Sequence, residues 1–369
     1  MTSWKTYRLG DVCSRLRSGK GIPASEVSAC GKFAVVGGNG VRGYTDKSNF
    51  NGQCVVVGRQ GAYCGNVRYF DGEFYMTEHA VVIVGNEYAD THFLAYLLSI
   101  MELGHLSAQS AQPGLSVQTL SKLEISLPSL EEQRRIAGIL GAIDDKIENN
   151  RRINENLELQ AQALYKQWFV DNRKEDWEVG KVSDYYDITI GKTPPRKEKQ
   201  WFSLNSQHTT WVSISDMGTC GMYISDSSEY LTADAVSRFN IKEVSPNTVL
   251  LSFKLTIGRV AISNGIMTTN EAIAHFNTER DYLLEYTYLA LKAYEFSNLG
   301  STSSIATAVN SKIIKAMRWI MPKESVLRDF HNLVSPIFRQ IKNNILENGK
   351  LTTLRDTLLP KLMNGEIKL

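Results

Sequence analysis

The sequence has no run of about 18 consecutive apolar residues, so it offers no helix able to cross a bilayer. Its five cysteines (Cys13, Cys30, Cys54, Cys64, Cys220) are odd in number and contain no C-x-x-C pair, which argues against a disulfide framework. A set drawn from Cys54, Cys64 and His79 matches no common zinc-ligand spacing, and no metal is expected. Catalytic signatures are also missing: there is no N-P-P-[YF], no G-x-S-x-G, no H-E-x-x-H and no ligand spacing among the six histidines. Charge of one sign is scarce, since 41 Lys+Arg against 39 Asp+Glu leave +2, too little for a uniformly basic coat. No signal peptide opens the sequence, and the expectation is a cytoplasmic binder rather than an enzyme or a membrane protein.

What is present is globular. Hydrophobic content of 43% and charged content of 22% over 369 residues predict two or more domains rather than one core. The small net charge hides a sorting along the chain. Residues 1–70 hold ten Lys or Arg against Asp11, Glu26 and Asp46, whereas residues 71–126 hold Lys122 against seven acidic residues. That arrangement predicts a basic face backed by an acidic one, suited to a polyanion.

Two short stretches imitate nucleotide-binding motifs. "GGNGVRG" at 37–43 satisfies G-x-G-x-x-G, but "YTDKSNFNG" follows it where a dinucleotide site needs a helix N-terminus. It reads instead as a tight turn between strands that displays Asn39 and Arg42. "IGKT" at 190–193 resembles the end of a phosphate loop, yet Tyr186 stands where that loop needs glycine, and Pro194 and Pro195 forbid the helix.

The chain repeats itself. A gapless shift of 194 residues carries Pro128 onto Pro322, Ile143 onto Ile337, Ile147 onto Ile341, "ENN" at 148–150 onto "KNN" at 342–344, and Leu157 onto Leu351. Upstream the likeness is looser but ordered: "WKTYRLGDV" from Trp4 matches "WEVGKVSDY" from Trp177, "SGKGIP" at 18 matches "IGKTPP" at 190, and "YCGNV" at 63 matches "TIGRV" at 256. Each half is a β-rich stretch followed by a helical one. Within the helical copies apolar residues step by four and three, with Asn150 and Asn154 in the first seam and Asn344 and Asn348 in the second. The seam is assigned to Ile143, Ile147, Asn150, Asn154, Leu157, Ile337, Ile341, Asn344, Asn348 and Leu351. A helix over 131–172 would extend on the order of 60 Å, and antiparallel pairing of the two copies predicts a rod with a β-rich domain at each end. Pro336 and Asn348-Gly349 are expected to kink or fray the second helix.

This layout resembles the specificity subunits of Type I restriction-modification enzymes, most visibly in "LPSLEEQRRIAGILGAIDDKIENN" from Leu127, "TLLPKLMNGEI" from Thr357 and "GRQGAYCGNV" from Gly58. "KESVLRDF" in the second copy replaces the Glu131-Glu132-Gln133 run, which removes any role shared by both copies there. The resemblance implies an α+β fold: two β-rich α/β target-recognition domains in tandem repeat, separated by two long antiparallel coiled-coil helices, with pseudo-twofold symmetry. It implies target-recognition domains at 1–126 and 173–319 and spacer helices at 127–172 and 320–369. It further implies a non-catalytic reader of an asymmetric bipartite site on double-stranded DNA that docks two methyltransferase subunits and restriction (nuclease/translocase) subunits. S-adenosylmethionine, ATP and magnesium would belong to those partners, so this chain should bind no cofactor.

Residue type and position nominate the DNA contacts. Lys20, Lys47, Lys192, Arg196 and Lys197 are assigned to phosphates, and Asn39, Arg42, Arg59, Gln60 and Lys254 to base edges. Tyr44 and Trp201 are candidates for stacking or for the core. Two rival readings are a DNA-modifying enzyme (a nuclease or fused methyltransferase) and a coiled-coil scaffold that ignores DNA. Activity of the chain alone with magnesium or S-adenosylmethionine marks the first rival, and absence of salt-dependent DNA binding marks the second.

Overall fold

A computed structural model describes residues 4–107, 114–296, 299 and 309–369. They form two compact units: unit 1 is Met1–Ile147 with Lys350–Leu369, and unit 2 is Glu148–Gly349.

Unit 1 carries strands β1 (Lys5–Arg8), β2 (Cys13–Ser18), β3 (Phe33–Gly37), β4 (Gly40–Thr45), β5 (Phe50–Gly58), β6 (Val67–Met76), β7 (Ala80–Gly85) and β8 (Glu124–Leu127). Helices α1 (Thr91–Ser99) and α2 (Val117–Ser121) lie between β7 and β8 in sequence. Six strands form one sheet in the order β2-β7-β5-β6-β3-β4, antiparallel except for the parallel pair β3 and β6. The run "CVVVG" in β5 is buried throughout because both faces of the sheet are covered. Val55 and Val57 face α1, where Phe93, Leu94 and Leu98 pack on them, while Cys54 and Val56 join Val36, Met76 and Val82 on the opposite face. Asp90 caps α1, its Oδ1 accepting from Phe93 N at 2.9 Å.

Unit 2 carries β9 (Glu178–Lys181), β10 (Asp187–Ile190), β11 (Phe202–Ser203), β12 (Thr209–Val212), β13 (Tyr223–Ile224), β14 (Tyr230–Leu231), β15 (Val249–Ser252), β16 (Val260–Ser263), β17 (Thr268–Thr269), β18 (Ile273–Asn277) and β19 (Arg318–Met321). Its main sheet runs β10-β18-β15-β16-β13, again with a single parallel pair, β13 and β16. That is the unit 1 order strand for strand, without the counterpart of β4. The flanking pair recurs too: β1 joins β8 in unit 1, and β9 joins β19 in unit 2. Unit 2 adds a four-stranded sheet, β11-β14-β12-β17. The repeat read from matched stretches of five to nine residues is therefore a repeat of topology.

The first long helix, α3, spans Leu130–Tyr165 and passes into a π-helical turn at Lys166–Asp171. After the short α4 (Ile214–Thr219), α5 (Ala233–Arg238), α6 (Leu284–Lys292) and α7 (Ser311–Lys315), the second, α8, spans Glu324–Met363. Its assignment runs without a break through Pro336 and Asn348-Gly349, so the expected fraying there does not occur. Packing compensates for the hydrogen bond that Pro336 cannot make: Val334, Phe338 and Ile341 around it are buried in the unit 2 core.

The helices pair within each unit. In unit 1, Ile136, Ala137 and Leu140 of α3 share a core with Leu362 and Met363 of α8, and Arg355 Nη1 donates to Asp144 at 2.8 Å. In unit 2, Asn150 Nδ2 donates to Asn348 Oδ1 at 2.9 Å, and Asn344 Nδ2 donates to Asn154 Oδ1 at 2.8 Å. Since Asn344 and Asn348 are the repeats of Asn150 and Asn154, the two bonds are one interaction made twice around a local dyad. The partner pairs 150/348 and 154/344 run in opposite directions, so the helices are antiparallel. Gln133 is fully buried and satisfied, its amide donating to Tyr88 O and Pro128 O and accepting from Asp90 N. Its repeat position holds Leu327, a core residue of unit 2. The Gln/Leu exchange thus separates a polar tie from an apolar one at this position.

Candidate nucleic-acid interface

The site is built first from backbone. In unit 1 the turn after β2 brings Gly19 N to Ala80 O at 3.1 Å and Lys20 N to Met76 O at 2.9 Å. In unit 2 the turn after β10 brings Gly191 N to Ile273 O at 3.2 Å and Lys192 N to Thr269 O at 2.9 Å. The matched "GK" pairs therefore occupy equivalent turns with equivalent bonds. Glycine is required at both: a Cβ on Gly19 would lie 2.1 Å from Met76 O, and one on Gly191 would lie 2.1 Å from Thr269 Oγ1. Ala80 also pairs with Gly58 at the end of β5, and Ile273 pairs with Ser252 at the end of β15. In each unit, then, the lysine turn and the loop leaving the central strand flank the same strand start.

Five unit 1 candidates gather at this end of the sheet. Lys20 follows the first turn, and Arg59 and Gln60 leave β5, with Arg59 N bonded to His79 O at 3.0 Å. The Gly38-Asn39 turn joins β3 to β4, as the sequence suggests, and a Cβ on Gly38 would meet Gly58 Cα at 2.9 Å and His79 O at 3.0 Å. Arg42 lies in β4, its side chain passing Gly37. Lys20, Asn39, Arg42 and Gln60 are exposed, Arg59 is half-buried, and among the described residues their side chains form no ion pair. A cation the sequence reading passed over joins them: Arg68 on β6, its guanidinium beside Gly40.

Lys47 stands apart from this group. Its ammonium donates to Glu26 at 2.8 Å, and that bond holds it above the usual lysine range. In unit 2, Lys192 Nζ donates to Phe239 O at 3.1 Å and Asn240 O at 3.3 Å, just past the C-terminal end of α5. Arg196 is bound to Glu229 at 2.7 Å and lies over Phe202 and Trp211 at 4.4 and 4.5 Å. Both partly serve the fold. Lys197 and Lys254 are exposed, and Lys254 sits in the loop after β15. Tyr44 remains 39% exposed, whereas Trp201 is buried and donates to Glu198 at 2.8 Å. Arg15 is packed over Phe50 at 5.0 Å, and burial lowers its pKa.

Part of the acidic stretch is tied to uncharged neighbours: Gln53 on β5 donates to Asp71 on β6 at 3.1 Å, and Ser48, just before β5, donates to Glu73 at 2.6 Å. No group of three or more His, Cys, Asp or Glu that could hold a metal occurs among the described residues. Burial pushes the Cys54 thiol up to about 12, so it stays protonated. A cavity of about 420 Å³ in unit 2 is lined by Arg280, Glu285, His331 and Phe338, and none of the candidate DNA residues reaches it. No described helix is long and apolar enough to cross a membrane.

Known proteins share this architecture. Residues 1–159 match the family model described as Type I restriction modification DNA specificity domain. The chain is 24% identical over 331 residues to the HindI specificity subunit of Haemophilus influenzae, covering 69% of this chain and 71% of that one. It is 27% identical over 311 residues to the MjaIX specificity subunit of Methanocaldococcus jannaschii, covering 75% and 69%. It is 38% identical over 144 residues to the EcoprrI specificity subunit of Escherichia coli, covering 38% and 36%. The fold matches that of a Type I restriction-modification system S subunit from M. genitalium, with a TM-score of 0.64 at 18% identity over 98% of this chain and 96% of that one.

Proposed function

We propose that the chain is a specificity subunit of a Type I restriction-modification enzyme, that it reads a bipartite, asymmetric site on double-stranded DNA, and that it docks methyltransferase and nuclease subunits. As a specificity subunit it is non-catalytic. The observation that carries the reading is the recurrence, in both units, of a glycine–lysine turn beside the loop leaving the central strand, with Arg59 and Gln60 on one loop and Lys254 on the other. Cationic and amide side chains displayed on rigid turns suit phosphate and base-edge contacts. The two units differ in sequence and in their added strands, which supports two different half-sites. The antiparallel helices, with their paired asparagines, support a fixed gap between half-sites, because DNA rises about 34–36 Å per turn and a changed gap also rotates one half-site around the duplex. S-adenosylmethionine, ATP and magnesium are assigned to the partner subunits.

Co-expression with the cognate methyltransferase and sequencing of methylated DNA should return a two-part motif with one constant gap; a single continuous motif would count against the proposal. Seven residues added to each helix, after Ile147 and after Gly349, should abolish recognition or re-space the motif, and an unchanged gap would refute the ruler.

A further inference from the structure

The turn Phe253–Ile257, which leaves β15 in unit 2, contains a residue that folding does not reward. Leu255 has φ +59°, in the left-handed region where an L side chain crowds its own carbonyl, and it is 98% exposed. Its side chain therefore brings backbone strain without burying apolar surface. Ile257, two residues on, is 37% exposed. The equivalent turn in unit 1 shows that the fold does not need leucine. There Gly65 N bonds Gly58 O at 2.8 Å and Gly58 N bonds Asn66 O at 2.8 Å, matching Gly258 N to Ser252 O at 3.0 Å and Ser252 N to Arg259 O at 2.9 Å. The unit 1 turn is one residue longer, and counted from the strand end its third position is Gly61, with φ +73°. One left-handed corner is thus made with glycine in one unit and with leucine in the other.

The leucine is also held rigidly. Ser252, fully buried, donates from Oγ to Thr256 O at 2.6 Å and accepts from Arg259 N at 3.0 Å, which fixes the turn from below. Lys254 precedes it, and the Lys192 turn lies across the start of β18. An exposed apolar side chain on a preorganised turn, beside cations, fits a polyanion that offers apolar surface between its phosphates. Duplex DNA offers such surface as thymine methyl groups in the major groove and as base planes at deformable steps.

We infer that Leu255 is a specificity-determining contact of unit 2, inserted beside Lys254 into a groove of duplex DNA. The inference rests on the DNA-reading function proposed above.

The test uses the full chain with Leu255→Gly and Leu255→Asn, two residues that tolerate the left-handed corner. Each variant is titrated with a duplex carrying the site selected from a randomised pool and with an unrelated duplex of equal length, and its melting temperature is recorded. The expected result is an unchanged or higher melting temperature, with affinity for the selected site falling roughly tenfold or more and affinity for the unrelated duplex unchanged. The inference is overturned if both variants keep wild-type affinity for the selected site, if affinity for both duplexes falls together, or if both variants melt lower, which would make the side chain structural. If the wild-type chain prefers no duplex, the DNA-reading function fails and takes this inference with it; a failure confined to the variants sinks this inference alone.

Discussion

His275 provides a quantitative test of how unit 2 is assembled. It lies in β18, fully buried, with Nδ1 2.8 Å from Thr189 Oγ1 and Nε2 2.7 Å from Thr269 Oγ1. Asn277 Nδ2 donates to Thr189 Oγ1 at 2.9 Å, and Thr269 Oγ1 donates to Asn270 O at 3.2 Å. These bonds assign the neutral tautomer: Thr189 donates to Nδ1, and Nε2–H donates to Thr269. An imidazolium would need both hydroxyls as acceptors, and it would place a charge where burial already lowers the histidine pKa from 6.5 to about 4. Since the folded-state pKa is the lower one, the unfolded chain takes up the proton first. The contribution is full above pH 6.5 and is lost as pH falls towards 4. A difference of 6.5 − 4 = 2.5 pKa units corresponds to about 3 kcal/mol. Urea unfolding at fixed pH values, followed by tryptophan fluorescence, reads this unit well, because Trp168, Trp177, Trp201, Trp211 and Trp319 all belong to it. Other carboxyls titrate in the same range, so the quantity to follow is wild type minus His275→Gln. That difference should shrink or reverse by about 3 kcal/mol between pH 7 and pH 4. A difference independent of pH, or one that grows in acid, would refute the assignment of a neutral buried imidazole.

Three further outcomes follow from the seam, the turns and the interior of α3. Asn150→Ala removes the donor that serves Asn348 at 2.9 Å and Glu347 at 2.7 Å in a nearly fully buried place, and should cost about 2 kcal/mol in urea unfolding. A double-mutant cycle with Asn348→Ala should show a coupling of about 1 kcal/mol, and additivity would mean that the bond contributes nothing. Gly191→Ala forces a Cβ to within 2.1 Å of Thr269 Oγ1 and should destabilise unit 2 by about 1–3 kcal/mol. Gly138→Ala, where nothing lies within 4 Å of the new Cβ and the residue sits inside α3, should instead stabilise by about 0.5–1 kcal/mol.

The legible parts of the fold were those written in periodic or repeated residues. The seam shows in the sequence because apolar residues step by four and three, and the asparagine pairs show because the same amide recurs after 194 positions. The glycine–lysine turns show because both halves need the same close approach to a backbone carbonyl. Intramolecular partners were not legible. Lys47 meets Glu26, Lys192 meets the carbonyls of Phe239 and Asn240, and Arg196 meets Glu229, each across 20 or more residues with no pattern linking them. Charge counted along a segment likewise says nothing of which segments become neighbours, since an antiparallel sheet sets distant ones side by side. Leu255 could have been found: aligning the two loops places it opposite Gly61, and a leucine standing where its repeat has glycine signals a corner kept at some expense to stability.

The make-up of unit 1 also bears on how the polypeptide is born. Its core closes only when Leu362 and Met363 arrive, roughly 200 residues after Ile147 has left the ribosome, whereas Glu148–Gly349 is a single uninterrupted stretch. The later-made unit can therefore mature while the earlier one still waits with part of its interior open. Premature termination just after Gly349 would release a molecule whose second unit is whole and whose first is unfinished.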